Sequence, residues 1–245
     1  MWQAWPTVAL DLLFPPFCAL CRARLGEGRH DPLCGPCWEG LERLVPPFCR
    51  SCGRPLGSFE PAPPPERSPC EPCRRRPPPF AYARAAALYG ERVREALFCL
   101  KFGGMTAMAR PLGDLMAEAG STVVPVSKID CLVPVPLHPS REAERGFNQA
   151  RLLARRVSRR WGVRVEAKAL RRQRSTLSQT DLDAEERREN VKGAFALRRP
   201  GVIAERHVLL IDDVFTTGAT VSECARVLLA GGAAAVGVLT IARVP

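Results

Sequence analysis

The sequence predicts an α/β fold: a parallel sheet flanked by helices, preceded by a small metal-bound domain. Three observations carry the prediction. Val208 to Ile211 is a short apolar run of the type buried on both faces of a sheet, and a hydroxyl-rich turn leads from it into an apolar-periodic helix, Val221 to Ala230. Ile129 to Val135 is a second run of the same kind. In the first third of the chain, eight of the eleven cysteines form four Cys-x-x-Cys pairs.

Met1 to Phe17 is apolar, and Val8 to Phe14 reads as a short helix ended by Pro15-Pro16. This stretch lacks a basic leading region, carries Asp11 and shows no small-residue cleavage site, so it is not read as a signal peptide. Nowhere does an apolar run approach the ~20 residues of a membrane span. The expectation is a cytoplasmic protein with no membrane span.

The cysteine pairs follow: Cys18 and Cys21, Cys34 and Cys37, Cys49 and Cys52, Cys70 and Cys73. Two intervening residues let both sulfurs of a tight knuckle face one ion, and two knuckles complete the tetrahedral thiolate site of structural zinc. The segments between them hold few large apolar residues and many Pro, Gly and Arg, so metal must supply the folding energy. Sequential pairing gives two zinc ribbons, one from Cys18, Cys21, Cys34 and Cys37, the other from Cys49, Cys52, Cys70 and Cys73. Interleaved pairing fits the same spacing, and an iron–sulfur cluster or a disulfide framework are the alternatives to zinc.

Arg74-Arg75-Arg76-Pro77-Pro78-Pro79 is stiff and basic, reads as neither helix nor strand, and marks the boundary between a domain over 1–77 and one over 78–245. Beyond it, Ala81 to Leu88 reads as a strand or strand–helix junction. Glu91 to Phe102 and Met105 to Ala119 read as helices with Gly103-Gly104 between them. Pro136 to Gln149 reads as a loop after the Ile129 strand. Cys99, Cys131 and Cys224 are isolated in apolar settings and read as buried free thiols.

Phe147 to Trp161 is an amphipathic helix, with Ala150, Leu153 and Val157 on one face and Arg151, Arg155, Arg156, Arg159 and Arg160 over much of the rest. The chain carries a net charge of +11, and the stretch from Arg141 to Arg174 holds twelve basic and three acidic residues. The arginine face lacks the acids that usually lace a solvated helix. That predicts a polyanion partner such as single-stranded DNA, since sequence-independent affinity comes from charge on phosphate. From Arg171 onward the chain is polar, read as a mobile loop and then a helix from Leu182 to Asn190 boxed by Asp183 and Glu186. Ala235 to Ala242 closes the sheet.

The central stretch carries the chemistry. After Val208 to Ile211 come Asp212 and Asp213, then Thr216, Thr217, Gly218, Ala219 and Thr220 at the entry to a helix. A helix entry offers free N–H groups and the positive end of the dipole to a phosphate. Two carboxylates beside such a cradle suit a ligand that also carries hydroxyls or a metal, as a ribose 5-phosphate does.

This stretch resembles the phosphoribosyl-pyrophosphate (PRPP) motif of type I phosphoribosyltransferases. The resemblance implies that Asp212 and Asp213 hold the ribose hydroxyls with Mg2+, and that Thr216 to Thr220 wrap the 5-phosphate. It also implies that the loop with His138, Arg141 and Arg145 faces the pyrophosphate, and that a lid with Arg174, Ser175 and Gln179 closes over PRPP; His138, alone in a Pro-flanked loop, reads either as a general acid or base or as a plain surface residue.

With the paired cysteines, Arg145-Gly146-Phe147-Asn148-Gln149, Ser175-Thr176-x-Ser178-Gln179 and Asn190-Val191-Lys192-Gly193-Ala194-Phe195, the chain resembles the ComF competence-protein family over nearly its whole length. That implies a type I phosphoribosyltransferase-like domain behind a double zinc ribbon. It implies a role in DNA uptake in natural transformation, with single-stranded DNA and the competence DNA-translocation machinery as partners. Two other readings stay open: an active phosphoribosyltransferase of nucleotide metabolism or salvage, and a PRPP-sensing regulator. A glutamine amidotransferase is not expected, because the chain starts Met1-Trp2 instead of with a cysteine nucleophile.

Overall fold

The computed structural model of the chain describes residues 16–26, 32–56, 69–176 and 183–245. The helix expected over Val8 to Phe14, Gln179 of the expected lid and Leu182 at the expected helix start lie outside them.

In chain order the elements are helices α1 (Gly35–Glu39) and α2 (Glu71–Arg75), strand β1 (Tyr82–Leu88), helices α3 (Glu91–Lys101) and α4 (Ala109–Val123), strand β2 (Cys131–Pro134), and helices α5 (Pro139–Arg145) and α6 (Gln149–Trp161). Then come β3 (Leu170–Arg172), α7 (Ala184–Val191), β4 (Phe195–Leu197), β5 (His207–Phe215), α8 (Ala219–Ala230) and β6 (Ala235–Arg243). Among the described residues the main sheet has the order β1-β6-β5-β2, with every pair parallel.

The pleat of β5 explains the layers. Leu209 and Ile211 join a core with α3, α4 and α6, whereas Val208 and Leu210 point the other way into a core with α8. Helices therefore cover both faces, as a parallel sheet requires. Gly113 lets α4 lie close on α6: a Cβ there would sit 2.5 Å from the Arg156 Cβ. The helices that follow β2 and β5, which are neighbours in the sheet, pack on opposite faces. Their carboxyl ends thus bound a crevice at a topological switch point, where open α/β sheets take their ligands.

Both outer edges of the sheet are covered. On β1, the Ala83 N–H donates to Ser51 O at 2.7 Å, the Leu88 N–H to Glu42 O at 2.8 Å, and Ala86 O accepts from the Leu44 N–H at 3.0 Å. The two cysteine clusters flank this contact. Leu33, Trp38 and Leu41 of the first pack in the core under α3 and α4, and the cysteines of the second join the core with Phe80 and α8. On β2, Leu132 exchanges hydrogen bonds with Arg164 and Glu166.

Several expectations need correction. Arg74 and Arg75 belong to helix α2 instead of an irregular linker, because Pro72 near its start pre-sets the backbone angle. The stretch read as a loop over Pro136 to Gln149 contains α5, with Pro139 at its first position and Gly146 in the left-handed conformation at its end. Phe147 precedes helix α6, whose cap is Asn148: its Oδ1 accepts from the Arg151 N–H at 3.2 Å, and its Nδ2 donates to Val135 O at 3.1 Å. Arg171 and Arg172 lie not in a loop but in an antiparallel ribbon of β3 and β4. Strand β5 runs on through both acids to Phe215, because Asp212 and Val214 still pair with β6. The expected box at α7 is present: Asp183 Oδ1 accepts from the Glu186 N–H at 2.9 Å, and Glu186 Oε2 accepts from the Asp183 N–H at 2.8 Å. Cys131 and Cys224 are buried as expected, and Cys99 is half-buried.

Candidate functional site

A cleft of about 290 Å³ opens at the carboxyl ends of β2 and β5. Its walls include Asp212 and Asp213, Thr216 and Gly218 to Thr220 of the turn, and His138, Arg141 and Arg145 of the α5 segment; Thr217 does not line it. It also gathers Lys101 from the end of α3, Gln149 from α6, and Arg172 from β3. Three of these polar residues were outside the sequence-derived site. Lys101 and Arg172 come from segments far from the acids in sequence. Gln149 stands in the quoted Arg145-to-Gln149 run, and its orientation by the helix cap could have marked it.

Because side chains alternate along a strand, the two adjacent acids face opposite ways. Asp213, buried, points to the α4–α6 side. It forms an ion pair with Lys101 and accepts a hydrogen bond from Gln149 Nε2 at 3.2 Å. Gln149 Oε1 in turn accepts from Arg145 Nη1 at 2.7 Å, and the Arg145 guanidinium lies 5.2 Å over the Phe102 ring. Burial alone would lower the Lys101 ammonium, but Asp213 overrides it and holds the pKa above the usual lysine value. Asp212 points to the α8 side. Burial first, and the Asp213 charge second, push its carboxyl up to about 8. Lys101 and Arg172 pull it back only in part.

The turn is shaped by Gly218, at φ +76° before the first residue of α8. The Phe215 ring lies beneath it: a Cβ on Gly218 would approach Phe215 Cζ to 2.5 Å. The ring is held edge-on by Phe80, with centroids 6.1 Å apart, and face-on by the Arg243 guanidinium at 4.5 Å. Arg243 Nη1 donates to Cys52 O at 2.8 Å. Glycine is thus required twice, for the backbone angle and for the ring.

His138 caps α5. Its Nδ1 accepts from the Ser140 N–H at 3.4 Å and is 2.8 Å from Ser140 Oγ. This leaves Nε2, the other ring nitrogen, free of any protein partner among the described residues. Of the expected lid, Arg174 Nη2 donates to the carbonyls of Asn190 and Lys192 at 2.9 and 2.8 Å, which ties it away from the cleft. Ser175 lines the cleft beside Thr176, whose hydroxyl accepts from Arg172.

The arginine face of α6 is laced by acids after all, from other elements. Arg151 pairs with Glu142 at 2.8 Å, Arg156 makes a two-pronged contact to Asp114 at 2.8 and 2.7 Å, and Arg160 lies 3.8 Å from the same acid. Sequence spacing along one helix could not reveal these partners. Arg155 and Arg159 remain exposed, with no ion pair among the described residues.

The cysteines fall into two sequential sets, Cys18, Cys21, Cys34 and Cys37, and Cys49, Cys52, Cys70 and Cys73. Within each set the sulfurs lie within 4.8 Å of one another. A tetrahedron with Zn–S bonds of about 2.3 Å has S–S edges of about 3.8 Å. Cys21 to Cys34 at 3.6 Å and Cys52 to Cys70 at 3.7 Å match it. Cys49 Sγ accepts from the N–H groups of Cys52 at 3.5 Å and Cys70 at 3.1 Å, as the thiolate of a metal knuckle does. These are two structural zinc sites, and the sequential pairing holds. Among the described residues no helix is long and apolar enough to cross a membrane.

Comparison with known proteins agrees with this organisation. Residues 9–74 match the family described as a double zinc ribbon domain. The DNA utilization protein YhgH of Escherichia coli K12 is 34% identical over 95% of this chain and 99% of that protein. Competence protein F of Haemophilus influenzae is 36% identical over 46% of this chain and 50% of that protein. Competence protein ComFC of Bacillus subtilis is 33% identical over 62% of this chain and 60% of that protein. Aligned nearly end to end with one relative and in part with two competence proteins, and built as a double zinc ribbon ahead of a parallel α/β sheet, the chain belongs to the ComF family.

Proposed function

We propose that the chain is a DNA-handling protein of natural transformation that binds PRPP with Mg2+ in the cleft at the ends of β2 and β5. One observation carries the PRPP reading. A single cleft brings two carboxylates and a helix-entry turn together with Lys101, Arg141, Arg145 and Arg172. The turn offers N–H groups to a 5-phosphate. The acids suit ribose hydroxyls and Mg2+. The cations, Arg141 and Arg145 of the α5 segment among them, suit a pyrophosphate. The names of the relatives support the role in DNA uptake, and the charge of the chain supports a single-stranded partner.

Phosphoribosyl transfer is the second reading, and His138 favours it. With its Nδ1 engaged by Ser140, the ring has Nε2 to present to a departing or arriving group. Cations over a departing pyrophosphate would be the main catalytic contribution.

Calorimetric titration of PRPP with Mg2+ into the zinc-loaded protein tests the proposal. Saturable binding that requires Mg2+ and is lost in Asp212→Asn supports it. No binding removes PRPP from the function. Release of pyrophosphate in the presence of a nitrogen base would promote the second reading to the first.

A further inference from the structure

We propose that the groove between the second cysteine cluster and helices α7 and α8 is a track for the backbone of a single strand of nucleic acid, opening onto the phosphate turn of the cleft. The proposal rests on the DNA-handling reading above and gives it a place on the molecule.

The groove encloses about 800 Å³. One wall is the second cysteine cluster with Arg54 and Arg76, and the opposite wall is formed by α7 and α8. Its charges are of two kinds. Arg226 is paired with Glu223 at 2.6 Å and Lys192 with Glu189 at 3.4 Å, so these four cancel. Arg54, Arg76 and Arg188 line the same groove and have no ion pair among the described residues. Three guanidinium groups without an ion pair around one groove attract an extended polyanion, against the net double negative charge that four thiolates leave on a bound zinc. On α6, Arg151, Arg156 and Arg160 are committed to Glu142 and Asp114, and the two left unpaired, Arg155 and Arg159, line neither the groove nor the cleft.

An acidic polypeptide would meet the same charges. The second observation favours nucleic acid. Phe215, Thr216 and Ala219 line both the groove and the sugar-phosphate cleft, so the helix-entry turn is a shared wall. A polymer of sugars and phosphates laid in the groove reaches a cradle made for phosphate. Proline rings 77 to 79 add an apolar strip along which bases can lie.

The test is anisotropy of a labelled oligothymidylate with the full, zinc-loaded chain at several salt concentrations. The Arg54→Ser/Arg76→Ser/Arg188→Ser variant should bind at least tenfold more weakly. Its plot of log affinity against log salt should be shallower by about two, the slope of three lost phosphate contacts on a single strand. Arg155→Ser/Arg159→Ser should bind like the wild type. If the triple variant loses zinc, Arg188→Ser alone, away from both clusters, should still weaken binding several-fold. Wild-type binding by the triple variant, with loss in the α6 variant, overturns the groove and leaves the DNA reading standing. No binding by the wild type overturns both. Polyglutamate that binds as tightly as the oligonucleotide, and is lost in the triple variant, overturns the nucleic-acid assignment and gives the groove to an acidic protein.

Discussion

The guanidinium of Arg243 lies 4.5 Å over the ring of Phe215, at the end of the strand that carries the two acids. The same guanidinium donates to the carbonyl of Cys52, a ligand of the second zinc site. The ring in turn supports Gly218 of the phosphate turn. A metal site and the turn proposed for the 5-phosphate are therefore joined through one arginine and one phenylalanine.

Arg243→Met keeps an apolar stem but removes the donors and the cation over the ring. The buried hydrogen bond to Cys52 and the ring contact together are worth about 2–4 kcal/mol. The expected result is a melting temperature lower by about 4–16 °C for a chain of this size. PRPP affinity should fall about tenfold even with full zinc content. Arg243→Lys should not restore it, because an ammonium cannot span the carbonyl and the ring together. Differential scanning calorimetry, metal analysis and PRPP titration on the same samples check the three parts.

Gly218→Ala forces a side chain into a positive φ and against Phe215. A loss of about 1–3 kcal/mol follows from the backbone alone. Affinity for inorganic phosphate at the turn should fall with it. Gly218→Ala combined with Phe215→Leu should recover part of the phosphate binding if the ring contact contributes, which a double-mutant cycle measures.

The two acids should behave differently when changed to amides. Asp213→Asn leaves Lys101 charged and unpaired, and breaking one side of a buried pair costs about 3–5 kcal/mol. Asp212→Asn removes a carboxyl that the fold prefers neutral, so stability at pH 7 should hold or rise. Asp212 is therefore the cleaner probe of ligand binding, and chemical denaturation of the two variants separates them.

The raised carboxyl of Asp212 also sets a pH dependence. Its folded value, about 8, lies above the ordinary aspartate value of about 3.9, so the folded state holds the proton more tightly. That contribution is complete below about pH 4 and is lost as pH rises toward 8. The difference in unfolding free energy between the wild type and Asp212→Asn should shift in favour of the variant across that window. A difference that stays flat from pH 4 to 8 would show that Asp212 titrates normally.

Much of the fold is legible in the sequence because its signals are local. Val208 to Ile211 and Ala235 to Ala242 are apolar runs bounded by polar turns, and both are central strands. The Cys-x-x-Cys spacing identifies the ligands, although only the folded chain decides between sequential and interleaved pairing. The helix-entry turn is legible for the same reason, since it is contiguous. The rest of the site depends on long-range placement. Nothing near Lys101 in sequence marks it as the partner of Asp213, and nothing near Arg156 points to Asp114 on another helix. The α5 helix was hidden by Pro139, which reads as a breaker from sequence and acts as a helix starter in the fold.

The contact between the zinc ribbons and β1 bears on how the protein survives in a metal-poor cell. Ser51, Leu44 and Glu42 occupy the outer hydrogen-bonding edge of a strand whose middle is Ala85-Ala86-Ala87. Stripped of zinc, the ribbons lose the bonds that fold them, and that edge becomes an open template for a second molecule. Loss of zinc is therefore expected to let starved chains join edge to edge and leave solution. Sedimentation of chelated protein, with and without an added Pro at Ala83, would show whether β1 is the seam.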